Sequence, residues 1–275
     1  MFFALLVGMG VVGHLAKAME KYGLSEDQAR ENFWILDVDG LITEDESREA
    51  LPDFVKPYAR KEKKHEGTNL LSTIREFKPT ILIGLSTVGG LFKEEHLKEM
   101  IQHHDRPLVM PLSNPTSSME CTAEQCALWT EGKAIFAAGS PQEDVEFNGK
   151  MIASSQANNM YIFPGLALGA SVGQAKIVTD HMLMCASEAL VNCITPEELE
   201  RGCIYPQLSK IREISLEIAC SVIETAVSDR VVKSDSRAAE VLKEQGTEGL
   251  KSFVLSRMFQ PNYDPLVYVP PGIGE

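Results

Sequence analysis

Three apolar runs decide the fold of this chain: Thr80-Ile-Leu-Ile-Gly-Leu85, Pro107-Leu-Val-Met-Pro-Leu112 and Ala134-Ile-Phe-Ala-Ala138. Each run is apolar at consecutive positions, which is typical of a strand that is buried on both faces. Strands of this kind occur in parallel sheets that are covered by helices. Two earlier runs, at residues 2–7 and 33–38, show the same pattern and predict two further strands of the sheet.

Amphipathic stretches separate the runs and predict the helices that cover the sheet. Their apolar residues recur with the helical period at residues 11–22, 25–31, 69–77, 93–102 and 122–130. Because strands and helices alternate, the sequence predicts an α/β fold, a Rossmann-like doubly wound parallel sheet. After residue 163 helical patterns follow one another without strands, at 163–177, 180–193, 195–201 and 207–227. A mainly helical C-terminal segment is therefore expected, with one or two surface helices in the charged stretch 229–249.

A glycine motif, Gly8-Met-Gly10-Val-Val-Gly13, stands between the first apolar run and the first helical stretch. In a strand–turn–helix unit the first glycine permits the tight turn, the second lets a pyrophosphate approach the backbone, and the third lets helix and strand pack closely. Asp37 ends the second run, where a carboxylate accepts hydrogen bonds from the adenosine ribose. Together these residues predict a dinucleotide site. The alternatives are a structural glycine turn and a strand-end cap by Asp37.

The residues after Asp37 bear on the choice between NAD and NADP, which differ by one 2′-phosphate. Val38 and Asp39 follow, and neither donates a hydrogen bond to a phosphate through its side chain. A second carboxylate would repel the phosphate. The sequence therefore favours NAD over NADP, with Lys56 as the cation that could reach back from the next loop.

Two asparagine motifs are candidates for binding a ligand. Asn114, in Leu112-Ser-Asn-Pro-Thr116, follows a predicted strand at the sheet edge where α/β proteins bind ligands, and a residue before proline is held out of the helical region. Asn159, in Ala157-Asn-Asn-Met160, lies at the junction of the sheet and the helical segment. The amide of each presents both donor and acceptor groups to a small polar ligand. An Asx turn at Asn114 and a buried turn at Asn159 are the structural alternatives.

Composition excludes several classes of protein. The net charge of −13 and the isoelectric point near 5.0 disfavour binding to nucleic acid or to an anionic membrane surface. Six cysteines without a C-x-x-C pair predict reduced thiols in a cytosol-like compartment. The apolar N-terminus lacks a basic segment and is interrupted by glycine, so no signal peptide is predicted.

His103-His104 and Glu44-Asp45-Glu46 lack further ligands on a rigid scaffold, so no metal site is predicted.

Five longer motifs, in their order and spacing, resemble the malic enzyme family. They are Leu112-Ser-Asn-Pro-Thr-Ser117, Glu120-Cys-Thr-Ala-Glu124, Ile135-Phe-Ala-Ala-Gly-Ser-Pro141, Gln156-Ala-Asn-Asn-Met-Tyr-Ile-Phe-Pro-Gly165 and Ile204-Tyr-Pro-Gln-Leu208. The chain resembles the C-terminal half of that family. The resemblance implies oxidative decarboxylation of malate to pyruvate and carbon dioxide, with NAD or NADP and with Mg²⁺ or Mn²⁺ in the complete enzyme.

The resemblance also assigns residues. Asp37 matches the ribose-binding acid, and Leu85 and Ser86 match a strand-end segment on the nicotinamide side. Asn114 and Asn159 match two asparagines that bind substrate and nicotinamide. The chain departs from the family at the glycine motif, which is shorter here and has Val11 where the family has glutamate.

The resemblance divides the chain into three parts: a dinucleotide-binding Rossmann-like domain at 1–159, a helical segment at 160–227 that would pack on a catalytic domain, and a helical and irregular tail at 228–275. The family's catalytic tyrosine and lysine and its metal-binding carboxylates lie upstream of the glycine motif. No catalytic or metal-binding residue is therefore assigned, and the isolated chain is expected to be inactive.

Two alternatives to a malic enzyme remain open at this point. One is a catalytically inactive dinucleotide-binding module that pairs with a homologue, and the other is a different dehydrogenase on the same fold, which the two asparagine motifs disfavour. The family resemblance implies malate and pyruvate as ligands, a homo-oligomer or a homologous subunit as partner, and the cytoplasm or the mitochondrion as the compartment.

Overall fold

The computed structural model describes residues 2–45 and 51–260, with side chains described from residue 8 onward. Its α-helices are α1 (Phe2–Lys21), α2 (Glu26–Arg30), α3 (Leu70–Phe77), α4 (Glu94–His103), α5 (Ala123–Trp129), α6 (Phe163–Val172), α7 (Asp180–Asn192), α8 (Pro196–Glu200), α9 (Ile211–Ser228) and α10 (Arg237–Arg257). Its strands are β1 (Leu36–Asp37), β2 (Gly40–Leu41), β3 (Ile81–Gly84), β4 (Leu108–Pro111), β5 (Ile135–Ala138), β6 (Val145–Phe147), β7 (Lys150–Ile152) and β8 (Ser154–Gln156).

A four-stranded parallel sheet in the order β3–β4–β5–β8 is the centre of the first part of the chain. Its first three strands are the runs predicted at 80–85, 107–112 and 134–138. Helices α3, α4 and α5 come between or beside these strands, and their caps explain where they begin. Asn69 caps α3, and Thr122 forms a capping box with Gln125 at the start of α5. The α/β, Rossmann-like fold is confirmed.

The core of this part forms where the helices bury the inner positions of the strands. Val109 of β4 and Phe136 of β5 are almost completely buried, together with Leu97 and Met100 of α4. Burying a large apolar side chain stabilises the fold by about 1.5–3 kcal/mol. This cluster therefore fixes the strands in register and with them the loops at their carboxyl ends.

The C-terminal segment is helical, as predicted, and α9 is its central helix. Gly165 of α6 allows a close approach to α9, because a Cβ atom at that position would lie 2.6 Å from the Cβ of Ile218. Ile218 and Val222 are fully buried in the interface. The predicted capping box of α8 is also present, with the Thr195 side chain accepting from the backbone N–H of Glu198.

The N-terminal prediction of a strand at 2–7 and a glycine turn at 8–13 is wrong. Both stretches lie inside α1, which runs without interruption from Phe2 to Lys21. A short apolar run has no periodicity that separates a strand from a buried helix. Each glycine costs a helix about 1 kcal/mol relative to alanine. Among the described side chains of α1, Met9 and Val12 pack against Ile42 and Val55, and such burial stabilises the helix.

The strand predicted at 33–38 is also not part of the parallel sheet. Only Leu36–Asp37 is extended as a strand, and it pairs antiparallel with Gly40–Leu41 across a tight turn. The segment is held by side chains instead: Trp34 stacks on Phe77 with ring centroids 5.3 Å apart. Aromatic packing thus replaces the strand pairing that the apolar pattern predicted.

Three strands between β5 and α6 were not predicted. The hairpin of β6 and β7 turns at Asn148 and Gly149, which both have positive φ angles, 51° and 75°. Asn-Gly is the commonest signal for such a turn. Strand β8 is polar and only three residues long, so its sequence lacks the apolar pattern, yet it completes the parallel sheet beside β5.

The charged stretch predicted to be helical at 229–249 forms α10, which begins and ends later, at Arg237 and Arg257. Gly246 interrupts its helical geometry with a φ of 67°. The last part of the predicted tail, residues 261–275, lies outside the described residues.

Candidate functional site

The carboxyl ends of the parallel strands form one edge of the sheet. Because Gly84 of β3 is aligned with Pro111 of β4, the residues that follow both strands meet there. The loop after β3 begins with Leu85 and Ser86, and the loop after β4 with Leu112, Ser113 and Asn114. Ligands of open α/β sheets bind at this edge.

Asn114 links the ends of two strands. Its side chain is exposed, and its Oδ1 atom accepts a 2.6 Å hydrogen bond from the hydroxyl of Ser140, which follows β5. Its Nδ2 atom makes a longer contact of 3.4 Å with the carbonyl oxygen of Leu112. The Asn114–Pro115 peptide bond is cis. The side chain therefore bridges neighbouring loops instead of forming the Asx turn considered above, and it is exposed at this edge of the sheet.

Gly139 is required where these loops approach one another. A Cβ atom at this position would lie 2.5 Å from the carbonyl oxygen of Leu112 and 2.9 Å from Asn114 Nδ2. Real Cβ atoms do not approach other atoms this closely. The absence of a side chain at Gly139 thus permits the bond between Ser140 and Asn114.

Leu85 and Ser86 lie directly at the sheet edge and are half-buried. The Ser86 hydroxyl accepts a hydrogen bond from the backbone N–H of Val88 at 3.1 Å, which orders the loop after β3. Leu85 lies against α1, since its Cδ1 atom would be 3.8 Å from a Cβ atom on Gly8. The structure therefore brings Leu85 and Gly8 together, although not through the turn that was predicted.

The site contains a residue that sequence analysis missed, Glu120. Its side chain is fully buried, and its carboxyl group accepts hydrogen bonds from Ser86 and Ser113. Glu120 stands between Met119 and Cys121, both buried, and an acid within a buried segment is the one sequence signal for such a role. The serines that contact it are 34 and 7 positions away, so the pattern around Glu120 does not identify its partners.

The three glycines predicted to hold a pyrophosphate do not form a phosphate-binding turn. Gly8, Gly10 and Gly13 are interior residues of α1. Backbone N–H groups in the interior of a helix donate to carbonyl groups four residues earlier, so they do not point at a ligand. The residues present on this side therefore do not fit a pyrophosphate in this conformation.

Asp37 forms the strand-end cap that was the structural alternative to a ribose-binding role. Its Oδ1 atom accepts a 2.9 Å hydrogen bond from the backbone N–H of Asp39, which closes the turn between β1 and β2. The Lys56 ammonium group lies 2.6 Å from Asp53 and makes an ion pair there. The cation that might have reached back to this turn is thus engaged elsewhere.

Asn159 begins a short 3₁₀ turn after β8, and its side chain is exposed. Its neighbour Asn158 caps this turn by accepting from the backbone N–H of Met160 at 3.0 Å. The turn is anchored to the helical segment, because the Tyr161 hydroxyl donates to the carbonyl oxygen of Pro206 at 2.8 Å. Asn158 thus has a structural role, while Asn159 presents its side chain at the junction.

The two histidines considered as metal ligands make other contacts. His103 lies 3.1 Å from Glu99, and His104 lies 2.7 Å from the carbonyl oxygen of Lys78. Over residues 2–45 and 51–260 there is no group of three or more His, Cys, Asp or Glu side chains that would hold a metal ion. Glu46, the last residue of the acidic cluster, lies outside the described residues.

His96 caps the beginning of α4. Burial lowers the pKa of His96, whose Nδ1 atom accepts from the backbone N–H of Lys93 and so caps α4 as a neutral group.

No helix in the part of the chain that the structure describes has the length and apolar character to cross a membrane.

Comparisons with known proteins identify the family. Residues 4–227 match the family described as malic enzyme, NAD binding domain. The chain is 43% identical over 257 residues to the NADP-dependent malic enzyme of Dictyostelium discoideum, and 41% identical over 277 residues to the mitochondrial NAD-dependent malic enzyme 1 of Arabidopsis thaliana. These matches cover 94% and 95% of this chain but only 45% and 44% of the relatives, so the chain spans less than half of their length.

A solved structure supports the fold. The crystal structure of the Entamoeba histolytica malic enzyme superposes with a TM-score of 0.59 over 82% of this chain and 44% of that chain, at 22% sequence identity. The match to the NAD-binding domain covers most of the chain, and the relatives share about two residues in five. The chain belongs to the malic enzyme family.

Proposed function

We propose that this chain binds a nicotinamide dinucleotide at the carboxyl edge of β3, β4 and β5 and serves as the cofactor part of an enzyme that converts malate to pyruvate and carbon dioxide. The observation that carries the proposal is the Asn114–Ser140 bond, which holds an amide at the edge where α/β sheets bind ligands. Membership of the family supports it further.

On the nicotinamide side we assign Leu85, Ser86, Asn114 and Asn159. The bond from Ser140 to Oδ1 fixes the orientation of the Asn114 amide, and we assign its Nδ2 group as a donor to the nicotinamide carboxamide. Asn159 follows β8, which is separated from β4 by β5, and two strand spacings amount to about 10 Å. We infer a similar separation for the two asparagines. A small ligand spans that distance. NAD, when bound, supplies the acceptor for the hydride that leaves malate.

On the adenosine side we assign Asp37 to the ribose hydroxyl groups and prefer NAD to NADP. Asp37 and the exposed Asp39 place two carboxyl groups at the turn, and Lys56 is paired with Asp53. A 2′-phosphate at that position would be repelled. No pyrophosphate contact is derived from Gly8, Gly10 or Gly13, because their helical backbone does not fit that group.

Turnover of malate needs more than these residues supply. The reaction requires a base for the hydroxyl group, stabilisation of the enolate and an acid for the enol. The described residues do not fit a divalent metal, so no step is derived through Mg²⁺ or Mn²⁺. We propose that these groups belong to a further part, supplied by a homologous subunit or an oligomer, in the cytoplasm or the mitochondrion. The acidic charge argues against nucleic acid and membranes as partners.

Titration of the purified chain with NADH, followed by cofactor fluorescence, tests the proposal. We expect saturable binding that Asn114→Ala weakens about tenfold through loss of a ligand hydrogen bond. Asn192→Ala is the matched control, because Asn192 is an exposed asparagine at the end of α7. Absence of saturable binding by the folded wild-type chain would refute the proposal, and equal weakening by both substitutions would refute the assignment of Asn114.

A further inference from the structure

The buried carboxyl group of Glu120 is the feature of the sheet edge that ligand binding by Asn114 leaves unexplained. Glu120 lies between the loop after β4 and the start of α5, and its side chain is fully buried. None of the Lys, Arg or His side chains among the described residues forms an ion pair with it; the contacts of its carboxyl group are with two serines. A buried acid without hydrogen-bond partners would be strongly destabilising, so these contacts determine its role.

Both carboxyl oxygens of Glu120 accept hydrogen bonds. The Oε1 atom accepts from the backbone N–H and the hydroxyl of Ser86, at 3.1 and 3.0 Å, and from the hydroxyl of Ser113 at 2.5 Å. The Oε2 atom faces the backbone N–H of Ser113 at 3.3 Å. Every contacting group is a donor. Glu120 therefore joins the loop after β3 to the loop after β4 through a single carboxyl group.

The directions of the serine protons are fixed by a second set of bonds. The Ser113 hydroxyl accepts from the backbone N–H of Thr87 at 2.9 Å, and the Ser86 hydroxyl accepts from the backbone N–H of Val88 at 3.1 Å. A hydroxyl group has one proton to donate, and in both serines it goes to Glu120. Through these serine hydroxyls Glu120 is linked to the backbone N–H groups of residues 87 and 88, which are exposed.

Strand β3 is built to accommodate this carboxyl group. A Cβ atom on Gly84 would overlap the carboxyl carbon of Glu120. The last residue of β3 therefore has to be glycine for Glu120 to reach both serines. Strand β3 thus leaves the space that the carboxyl group occupies.

We propose that Glu120 is a positioning residue for the dinucleotide: it holds Ser86 and the loop of Ser113 and Asn114 at a fixed separation across the nicotinamide end of the crevice. This inference rests on the proposed function of the same site. Without the shared acceptor, four donor groups lose their partner and the two loops separate. Ordering the loops then becomes part of the free energy that ligand binding has to supply.

The test compares Glu120→Gln with Glu124→Gln. The first substitution keeps the volume of the side chain and one acceptor oxygen, but it replaces the other oxygen by an NH₂ donor that faces the donor groups of the two serines. Glu124 is an exposed acid in the first turn of α5, four positions away, and serves as the matched control. Amide hydrogen exchange of residues 86–88 and 113 is measured without ligand, with the amides of α9 as reference, and NADH titration is done at a temperature at which circular dichroism shows the variants to be folded.

We expect exchange in Glu120→Gln to rise at residues 86–88 and 113 but not in α9, and the NADH dissociation constant to rise about tenfold. Exchange that is unchanged, or raised equally in α9, would overturn the inference, as would locally raised exchange with unchanged NADH affinity. If Glu120→Gln does not fold, the same two measurements are made on Ser86→Ala and Ser113→Ala, each of which removes one hydroxyl donor. The same increases in exchange and in the NADH dissociation constant are then expected. Failure of the wild-type chain to bind NADH would refute the proposed function and with it the ligand role of Glu120, whereas hydrogen exchange would still decide whether Glu120 ties the loops.

Discussion

The hydroxyl of Ser140 donates a 2.6 Å hydrogen bond to Asn114 Oδ1, so that the loop after β5 determines the orientation of the amide after β4. Nδ2 carries two N–H groups and only one of them faces the Leu112 carbonyl oxygen, so a donor of Asn114 is available to a ligand. The binding properties of Asn114 should therefore depend on a residue 26 positions away in the sequence.

Ser140→Ala tests this dependence. Removing the hydroxyl lets the Asn114 amide rotate, and we expect NADH affinity to fall about fivefold, corresponding to about 1 kcal/mol. Ser171→Ala, at an exposed position of α6, is the control and should leave affinity unchanged. An affinity in Ser140→Ala equal to that of the wild type would show that the bond does not orient the amide for binding.

The choice of cofactor is tested at the turn between β1 and β2. We expect isothermal titration calorimetry to show tighter binding of NAD than of NADP, because Asp37 and Asp39 repel a 2′-phosphate. Asp39→Lys should shift the preference toward NADP, whereas Asp235→Lys, at another exposed acid, should not. Equal or reversed affinities in the wild-type chain would contradict the assignment of NAD.

Malate turnover is expected to require more than this chain. With malate, NAD and Mg²⁺ or Mn²⁺, we expect no formation of NADH above background by the isolated chain, since loss of each acid–base group commonly costs about 10²–10⁴ in rate. Addition of the upstream half of a full-length relative, expressed separately, should restore activity. Robust turnover by the isolated chain would disprove this expectation.

Two helical glycines should respond to alanine in opposite directions. A Cβ atom at Gly165 would lie 2.6 Å from Ile218, so Gly165→Ala should destabilise the fold by about 1–3 kcal/mol. A Cβ atom at Gly10 would meet nothing within 4 Å, so Gly10→Ala should stabilise the fold by up to about 1 kcal/mol. Urea unfolding measures both. Destabilisation by Gly10→Ala would contradict the helical conformation of the glycine motif.

Stability at acid pH should depend on Asp229. A hydrogen bond from His181, and a second from Thr179, lower the pKa of the Asp229 carboxyl group. A lowered pKa in the folded state gives stability that is present above the unfolded pKa of about 3.9 and is lost as pH falls through the folded value. Asp229→Asn should therefore lower the melting temperature at pH 6 and have less effect at pH 3. Asp235→Asn, at an exposed acid, should show no such difference between the two pH values.

The three central strands and most of the helices could be predicted from the sequence. The runs that became β3, β4 and β5 are apolar at consecutive positions, which is typical of strands in a parallel sheet covered by helices. The start of α8 could be predicted as well, because the Thr195 cap acts on a backbone N–H group only three residues away. The sequence also indicated that Asn114 lies at the sheet edge, because it directly follows the run that became β4.

Features that depend on contacts between distant residues became visible in the folded structure alone. An apolar run such as 2–7 carries no period that separates a strand from a helix, and in the structure it belongs to α1 together with the glycines of the predicted turn. The short polar strand β8 exists because β5 offers it backbone partners. Glu120 shows the same limit at the site, since its burial becomes favourable only when Ser86, Ser113 and Gly84 converge on it from two other loops and a strand.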